Sequence, residues 1–174
     1  MGRNRAGFTL LEVTLVLLIF SVMLALLLPR LRDPGRVELE AQSKRLAQTF
    51  RWLRSEAVMN GVSYQLNFDL DQQRYWVSPV EGEGTDLAEF AHEVGSLARG
   101  TQLQSPVGMV DVVLPTLAGK VAQGQIYTMF YPDGTVDMTV IHMANGRDAY
   151  TLYLNPMNGR LKVVPGYHEV EYAG

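Results

Sequence analysis

From Phe8 to Leu28 the chain runs for 21 residues with a single charge, Glu12. As a helix rising about 1.5 Å per residue, that stretch reaches roughly 31 Å, and the hydrocarbon core of a bilayer is about 30 Å thick. Thr9, Thr14 and Ser21 are its only other polar side chains, and each hydroxyl can bond back to its own helix backbone. A helix buried in a globular core rarely stays apolar on all sides for this length. The segment therefore reads as a membrane span.

A cleaved secretory signal is the competing reading. Its apolar stretch would be shorter, about 7–15 residues, and would end in small residues around a cut site. Here the run ends at Leu26-Leu27-Leu28-Pro29-Arg30, which offers no such site. The small residues Ala6-Gly7 lie on the other side, after the basic leader Met1-Gly2-Arg3-Asn4-Arg5. A cut there would keep the apolar segment as an anchor. Glycine suits such a cut, because a backbone without a side chain admits a protease closely.

Gly7-Phe8-Thr9-Leu10-Leu11-Glu12, behind a short basic leader and before a long apolar run, resembles the type IV pilin superfamily. That superfamily includes the pseudopilins of type II secretion. The resemblance implies that a prepilin peptidase cuts between Gly7 and Phe8 and methylates the new amino terminus on Phe8. It also implies that Glu12 serves filament assembly. Physics is consistent with this: a carboxylate in lipid is costly unless it meets a cation, and a neighbouring subunit's Phe8 amine supplies one at similar depth. Alternatively, Glu12 snorkels to the interface from its place near the helix start.

Lys and Arg counts do not fix the orientation, since Arg3 and Arg5 precede the run while Arg30, Arg32 and Arg36 follow it. The resemblance implies a cytoplasmic leader before cleavage, a single pass through the inner membrane and a periplasmic globular domain. Pro29 falls where pilins commonly carry a proline, in a stretch that loosens in assembled filaments. It reads equally as a plain juxtamembrane break, because proline removes a helix hydrogen bond.

The rest has room for one domain with a real core. Cysteine is absent, so disulfides and thiol ligands are excluded. The whole chain carries a net charge of −3; losing Met1–Gly7 takes two arginines and leaves 13 basic against 18 acidic residues, or −5. That balance argues against a nucleic-acid partner.

The spacing predicts a helix over about Val37 to Asn60, with Leu39, Leu46, Phe50, Leu53 and Ala57 on one face and Asn60-Gly61 as its end. Lys44, Arg45, Arg51 and Arg54 fall on other faces, either solvating the helix or meeting a neighbouring subunit or lipid headgroups. From Val62 onward the pattern alternates. Tyr64, Leu66, Phe68 and Leu70, then Tyr75-Trp76-Val77 after Asp71-Gln72-Gln73, read as a hairpin. Gly82 and Gly84 mark a loop, followed by a short helix through Leu87, Phe90, Val94 and Leu97 capped by Asp86. Val110–Leu114 is a further strand. Ile126–Tyr131 and Val136–Met143 read as a hairpin about Pro132-Asp133-Gly134. Tyr150–Leu154 follows Asn145-Gly146, and Arg160–Val164 follows Pro156-Met157-Asn158-Gly159.

The expected fold is α+β: a long N-terminal helix packed on an antiparallel β domain of two small sheets, pilin-like. Its parts are a leader (1–7), a transmembrane assembly helix (8–28), a linker with an amphipathic helix (29–61) and a periplasmic β domain (62–174).

Leu53-Arg54-Ser55-Glu56-Ala57-Val58 with Asn60-Gly61, Phe130-Tyr131-Pro132-Asp133-Gly134 and Asn158-Gly159-Arg160-Leu161 resemble the H-type minor pseudopilins and their minor-pilin relatives. Residues 79–125 match no nameable pattern. The resemblance implies a structural subunit at or near the tip of a periplasmic filament in type II secretion. The implied partners are other minor and major pseudopilins, the prepilin peptidase and the inner-membrane assembly platform. The alternative is a minor pilin of a type IV pilus, acting in assembly priming or DNA uptake.

Chemistry is sparse. His92, His142 and His168 are not paired at metal-ligand spacing, and no nucleophile elbow or phosphate-binding glycine loop occurs. Asp69 and Asp71 are conceivable calcium ligands, but turn chemistry accounts for them without a third acid. The tail His168-Glu169-Val170-Glu171-Tyr172 reads as an exposed or docking strand. Neither catalysis nor a cofactor or metal is expected.

Overall fold

A computed structural model describes residues 9–27, 34–80, 95–115 and 119–169. Gly7, Phe8, Pro29, His92, Glu171 and the expected loop and helix start between Gly82 and Val94 lie outside the described residues.

Helix α1 spans Leu10–Leu27. Thr9 caps it: the Glu12 amide donates to the Thr9 carbonyl at 3.0 Å and sits 3.3 Å from the Thr9 hydroxyl. Thr14 and Ser21 donate to the carbonyls of Leu11 and Leu18 at 2.9 and 2.8 Å, which hides their polarity within the helix. None of the large apolar side chains from Leu10 to Leu24 is less than 44% exposed, so among the described residues the helix finds no core. Among the described residues, no helix is long and apolar enough to cross a membrane. The 18 residues of α1 measure about 27 Å, slightly under the hydrocarbon thickness.

Helix α2 spans Pro34–Asn60. It begins three residues before the expected Val37, because proline at the first helical position lacks only an amide hydrogen that has no partner there anyway. Leu39, Leu46, Phe50, Leu53 and Ala57 are fully buried, as the spacing predicts. Gln42, Ser43 and Thr49 share that buried face. Gly61 ends the helix at φ +67°, its amide donating to the Ala57 carbonyl at 3.0 Å.

The remaining elements are β1 (Tyr64–Asp69), β2 (Arg74–Pro79), a short α3 (Ser96–Arg99), β3 (Thr101–Gln102), β4 (Gly108–Leu114), β5 (Gly119–Val121), β6 (Gln125–Phe130), β7 (Thr139–Ala144), β8 (Ala149–Leu154) and β9 (Leu161–Pro165). They form two antiparallel sheets, ordered β3-β2-β1-β6 and β5-β4-β7-β8-β9. Phe50 of α2 meets Phe68 of β1 and Phe130 of β6, with ring centroids 6.3 and 5.6 Å apart. These aromatic contacts fasten the helix to the first sheet. On the second sheet, Leu152 and Leu154 of β8 join Leu46 and Leu53 in the same buried cluster.

One expected hairpin is absent. Ile126–Tyr131 and Val136–Met143 do not pair as a ladder; β6 belongs to the first sheet and β7 to the second, and a lone bridge joins Phe130 to Val136. The Asp133 carboxylate turns the chain by accepting from the Thr135 amide at 2.8 Å. The Asp137 carboxylate then takes the Met129 amide at 3.0 Å, a donor that a ladder partner would use. The chain crosses between the sheets, and Thr128 and Thr139 share a buried hydroxyl bond of 2.6 Å at the crossing.

Gln73, at the tip of the β1–β2 hairpin, ties the sheets together a second time. Its side-chain amide accepts from the Met109 amide at 2.6 Å and donates to the Met109 carbonyl at 3.1 Å. The β4–β7 register shifts between Met109 and Asp111, next to this contact.

Candidate functional site

Glu12 lies in the first turn of α1, exposed, on a helix that packs on no core among the described residues. Thr9 and Glu12 have the spacing of a capping box, and the Thr9 half of that box is formed. A carboxylate at a helix N-terminus also suits the positive end of the helix dipole.

The globular domain gathers three distant segments on one side chain. Arg54 of α2 donates through Nε to the Gly134 carbonyl at 2.9 Å, and its arm passes against Gly159 so closely that a β-carbon there would collide with it. Both glycines have positive φ, +82° and +58°. The helix end, the Pro132-Asp133-Gly134 turn and the Asn158-Gly159 turn thus converge on Arg54. Sequence reading found the three segments separately and did not place them together.

A second cluster was missed. Asp111 of β4 and His142 of β7 are buried, and Nδ1 of His142 lies 2.6 Å from Oδ1 of Asp111. Nε2 of His142 faces the His168 carbonyl at 2.9 Å. A carbonyl only accepts, so Nε2 is the donor, and one further proton is held between Nδ1 and Asp111. The Tyr167 hydroxyl donates to the other Asp111 oxygen at 2.9 Å, and its ring stacks on the His142 ring at 3.9 Å. Lys120 of β5 hydrogen-bonds the Tyr167 hydroxyl and lies 3.6 Å from Asp111 and 3.9 Å from Glu169. The Tyr167 bond first, and then the nearby carboxylates against desolvation, hold the Lys120 amine above its ordinary pKa.

With both ring nitrogens engaged, His142 is not free to act as a base. The cluster pins residues 167–169 across β4 and β7, beside a cavity of about 420 Å³. An Asp inside Met-Val-Asp-Val-Val and a His inside Val-Ile-His-Met were the sequence signals, each a polar residue on an otherwise buried strand. His168 bonds the Thr151 hydroxyl and the Pro165 carbonyl, so the tail begins as a docked segment.

Asp69 and Asp71 act as turn residues. Asp69 accepts from the Gln72 amide at 2.8 Å and from Gln125 at 2.9 Å, while Asp71 accepts from the Gly124 amide at 3.2 Å. The Gln72 bond, more than Gln125 or Arg74, holds the Asp69 carboxyl below its usual range despite burial. Among the described residues no three His, Cys, Asp or Glu side chains cluster for a metal.

Residues 2–28 match the family described as the prokaryotic N-terminal methylation motif. That span contains Gly7, Phe8 and Glu12, and Pro29 lies just beyond it. No curated protein matches the sequence. Among solved structures, the crystal structure of the minor pseudopilin EpsH from the type II secretion system of Vibrio cholerae is similar. It shares 14% identity at a TM-score of 0.51, over 76% of this chain and 97% of that one. A second structure of EpsH gives 14% identity and a TM-score of 0.49, over 74% and 97%.

The fold is that of a minor pseudopilin. The α+β expectation, a long helix on two small antiparallel sheets, holds within this pseudopilin fold.

Proposed function

We propose that this chain is a minor pseudopilin: a non-catalytic structural subunit at or near the tip of a periplasmic filament in type II secretion. The observation that carries the reading is the pairing of a methylation motif over residues 2–28 with a minor-pseudopilin fold in the rest of the chain. The exposed apolar surface of α1 supports it, since such a helix needs lipid or other helices around it. With Phe8 and Leu28 added, the segment has the length of a single inner-membrane pass.

In this reading the prepilin peptidase cuts between Gly7 and Phe8 and methylates Phe8. Glu12 then meets the Phe8 ammonium of a neighbouring subunit during assembly on the inner-membrane platform. Pro29 breaks the helix between anchor and domain. The partners are other minor and major pseudopilins, and the −5 charge of the processed chain does not favour nucleic acid.

Intact mass measurement of membrane-purified protein tests the reading. The expected mass is that of the chain without Met1–Gly7 and with one added methyl group. A protein still starting at Met1, or one released without residues 8–28, overturns it.

A further inference from the structure

We propose that the groove between α2 and the edge strand β9 receives an extended, carboxylate-bearing segment of another polypeptide, which adds to β9 as a further strand. Among the described residues, strand β9 ends its sheet, with β8 on one side and no strand on the other. The Asn155 amide donates to the Arg160 carbonyl at 3.0 Å and the Gly166 amide to the Ala149 carbonyl at 2.7 Å. Antiparallel alternation then turns Lys162 and Val164 toward β8 and directs the backbone N–H and C=O of Leu161 and Val163 away from it. Those groups form a template for an incoming strand.

Two cavities lie along this edge, of about 470 and 490 Å³, and Arg51 and Leu161 line both. The floor is apolar, with Leu161 and Val163 packed on the core. The rim is cationic. Arg51, Arg54 and Arg160 border one cavity, and none forms an ion pair with a described residue. At the other end Glu40 is already paired with Lys44 at 2.6 Å. Guanidinium groups pair carboxylates in forked geometry, so the charge calls for an acidic strand.

The alternatives fit less well. Self-pairing through β9 would set Arg160 and Lys162 against cations of a second copy. Arg51 lies 17 residues along α2 from Pro34, about 26 Å of helix away from the anchor side, beyond easy reach of headgroups. Lys162 and Pro165 blunt the edge against indiscriminate pairing without removing the two outward residues.

The test uses the full chain in neutral detergent micelles with a labelled Val-Glu-Val-Glu-Val peptide and its Val-Gln-Val-Gln-Val counterpart. The acidic peptide is expected to bind about tenfold tighter than the amide one. It should slow hydrogen exchange at Leu161 and Val163. Arg51→Gln with Arg160→Gln should weaken binding about tenfold, and Val163→Pro, which removes an outward amide and leaves the β8 ladder intact, should do the same. Equal binding of both peptides, unprotected Leu161 and Val163 amides, dimers cross-linked through β9, or Arg51-dependent capture by phosphatidylglycerol vesicles in place of the peptide would each overturn the proposal.

Discussion

The arm of Arg54 fills the space that a β-carbon on Gly159 would need. Gly159→Ala therefore meets two penalties, a left-handed backbone at φ +58° and displacement of a side chain that also holds Gly134. Together these should cost about 2–3 kcal/mol. Gly146, at φ +89°, has nothing within 4 Å of where a β-carbon would stand, so it carries the backbone penalty alone. Gly146→Ala should then cost about 1 kcal/mol. Urea unfolding of both variants makes the comparison. Adding Arg54→Ala to Gly159→Ala should cost less than the sum of the two, because they share one contact.

Asp111→Ala should loosen the tail before it unfolds the domain. Alanine offers Nδ1 of His142 neither a donor nor an acceptor, so His142 keeps only one of its two bonds, and a buried polar atom loses its partner. The expected cost is about 1–3 kcal/mol. Tyr167 and Lys120 lose their charged acceptor in the same step. Hydrogen exchange at residues 167–169 should speed up under conditions where β7 stays protected. Unchanged exchange there would mean that the tail is held by Thr151 and Pro165 rather than by the Asp111 cluster.

Asp69 gives a signed pH prediction. Its carboxyl is held low, first by the Gln72 amide, so the charged form favours the folded state. That stabilisation is complete above the ordinary carboxylate pKa of about 4 and is lost as pH falls through the lower folded value. Asp69→Asn keeps an oxygen for Gln72 but carries no charge. Its stability should therefore be lower than wild type at pH 7, and should fall less between pH 5 and pH 2. Parallel acid profiles for the two proteins would count against the Asp69 contribution.

What was legible in the sequence was what a local period or dipeptide encodes. The face of α2 followed from Leu39, Leu46, Phe50, Leu53 and Ala57, and the β7–β8 turn from Asn145-Gly146. What was not legible depends on partners far along the chain. Pro132-Asp133-Gly134 does turn the chain, but whether its flanks pair is decided by Asp137 capturing the Met129 amide and by β1 claiming β6. Gln42 looks like a surface residue by type, yet it is buried because the Gln104 backbone supplies both a donor and an acceptor, at 3.0 and 2.9 Å. Asp111 and His142 are 31 residues apart and reveal their pairing only once β4 and β7 lie side by side.

Glu12 separates two roles that one position combines. As the third residue after the Thr9 cap it favours the start of α1; as a lone carboxylate on an apolar helix it calls for a cation from outside the chain. Thr9→Ala removes a capping contact worth about 1 kcal/mol and leaves the charge in place, so it should leave filament incorporation nearly unchanged. Glu12→Gln keeps the shape and removes the charge. If the assembly role holds, it should lower recovery of the subunit in sheared filaments about tenfold, equivalent to about 1.4 kcal/mol, with cleavage after Gly7 unaffected. Equal recovery of wild type and Glu12→Gln would place the carboxylate at the membrane interface, with no partner in the filament.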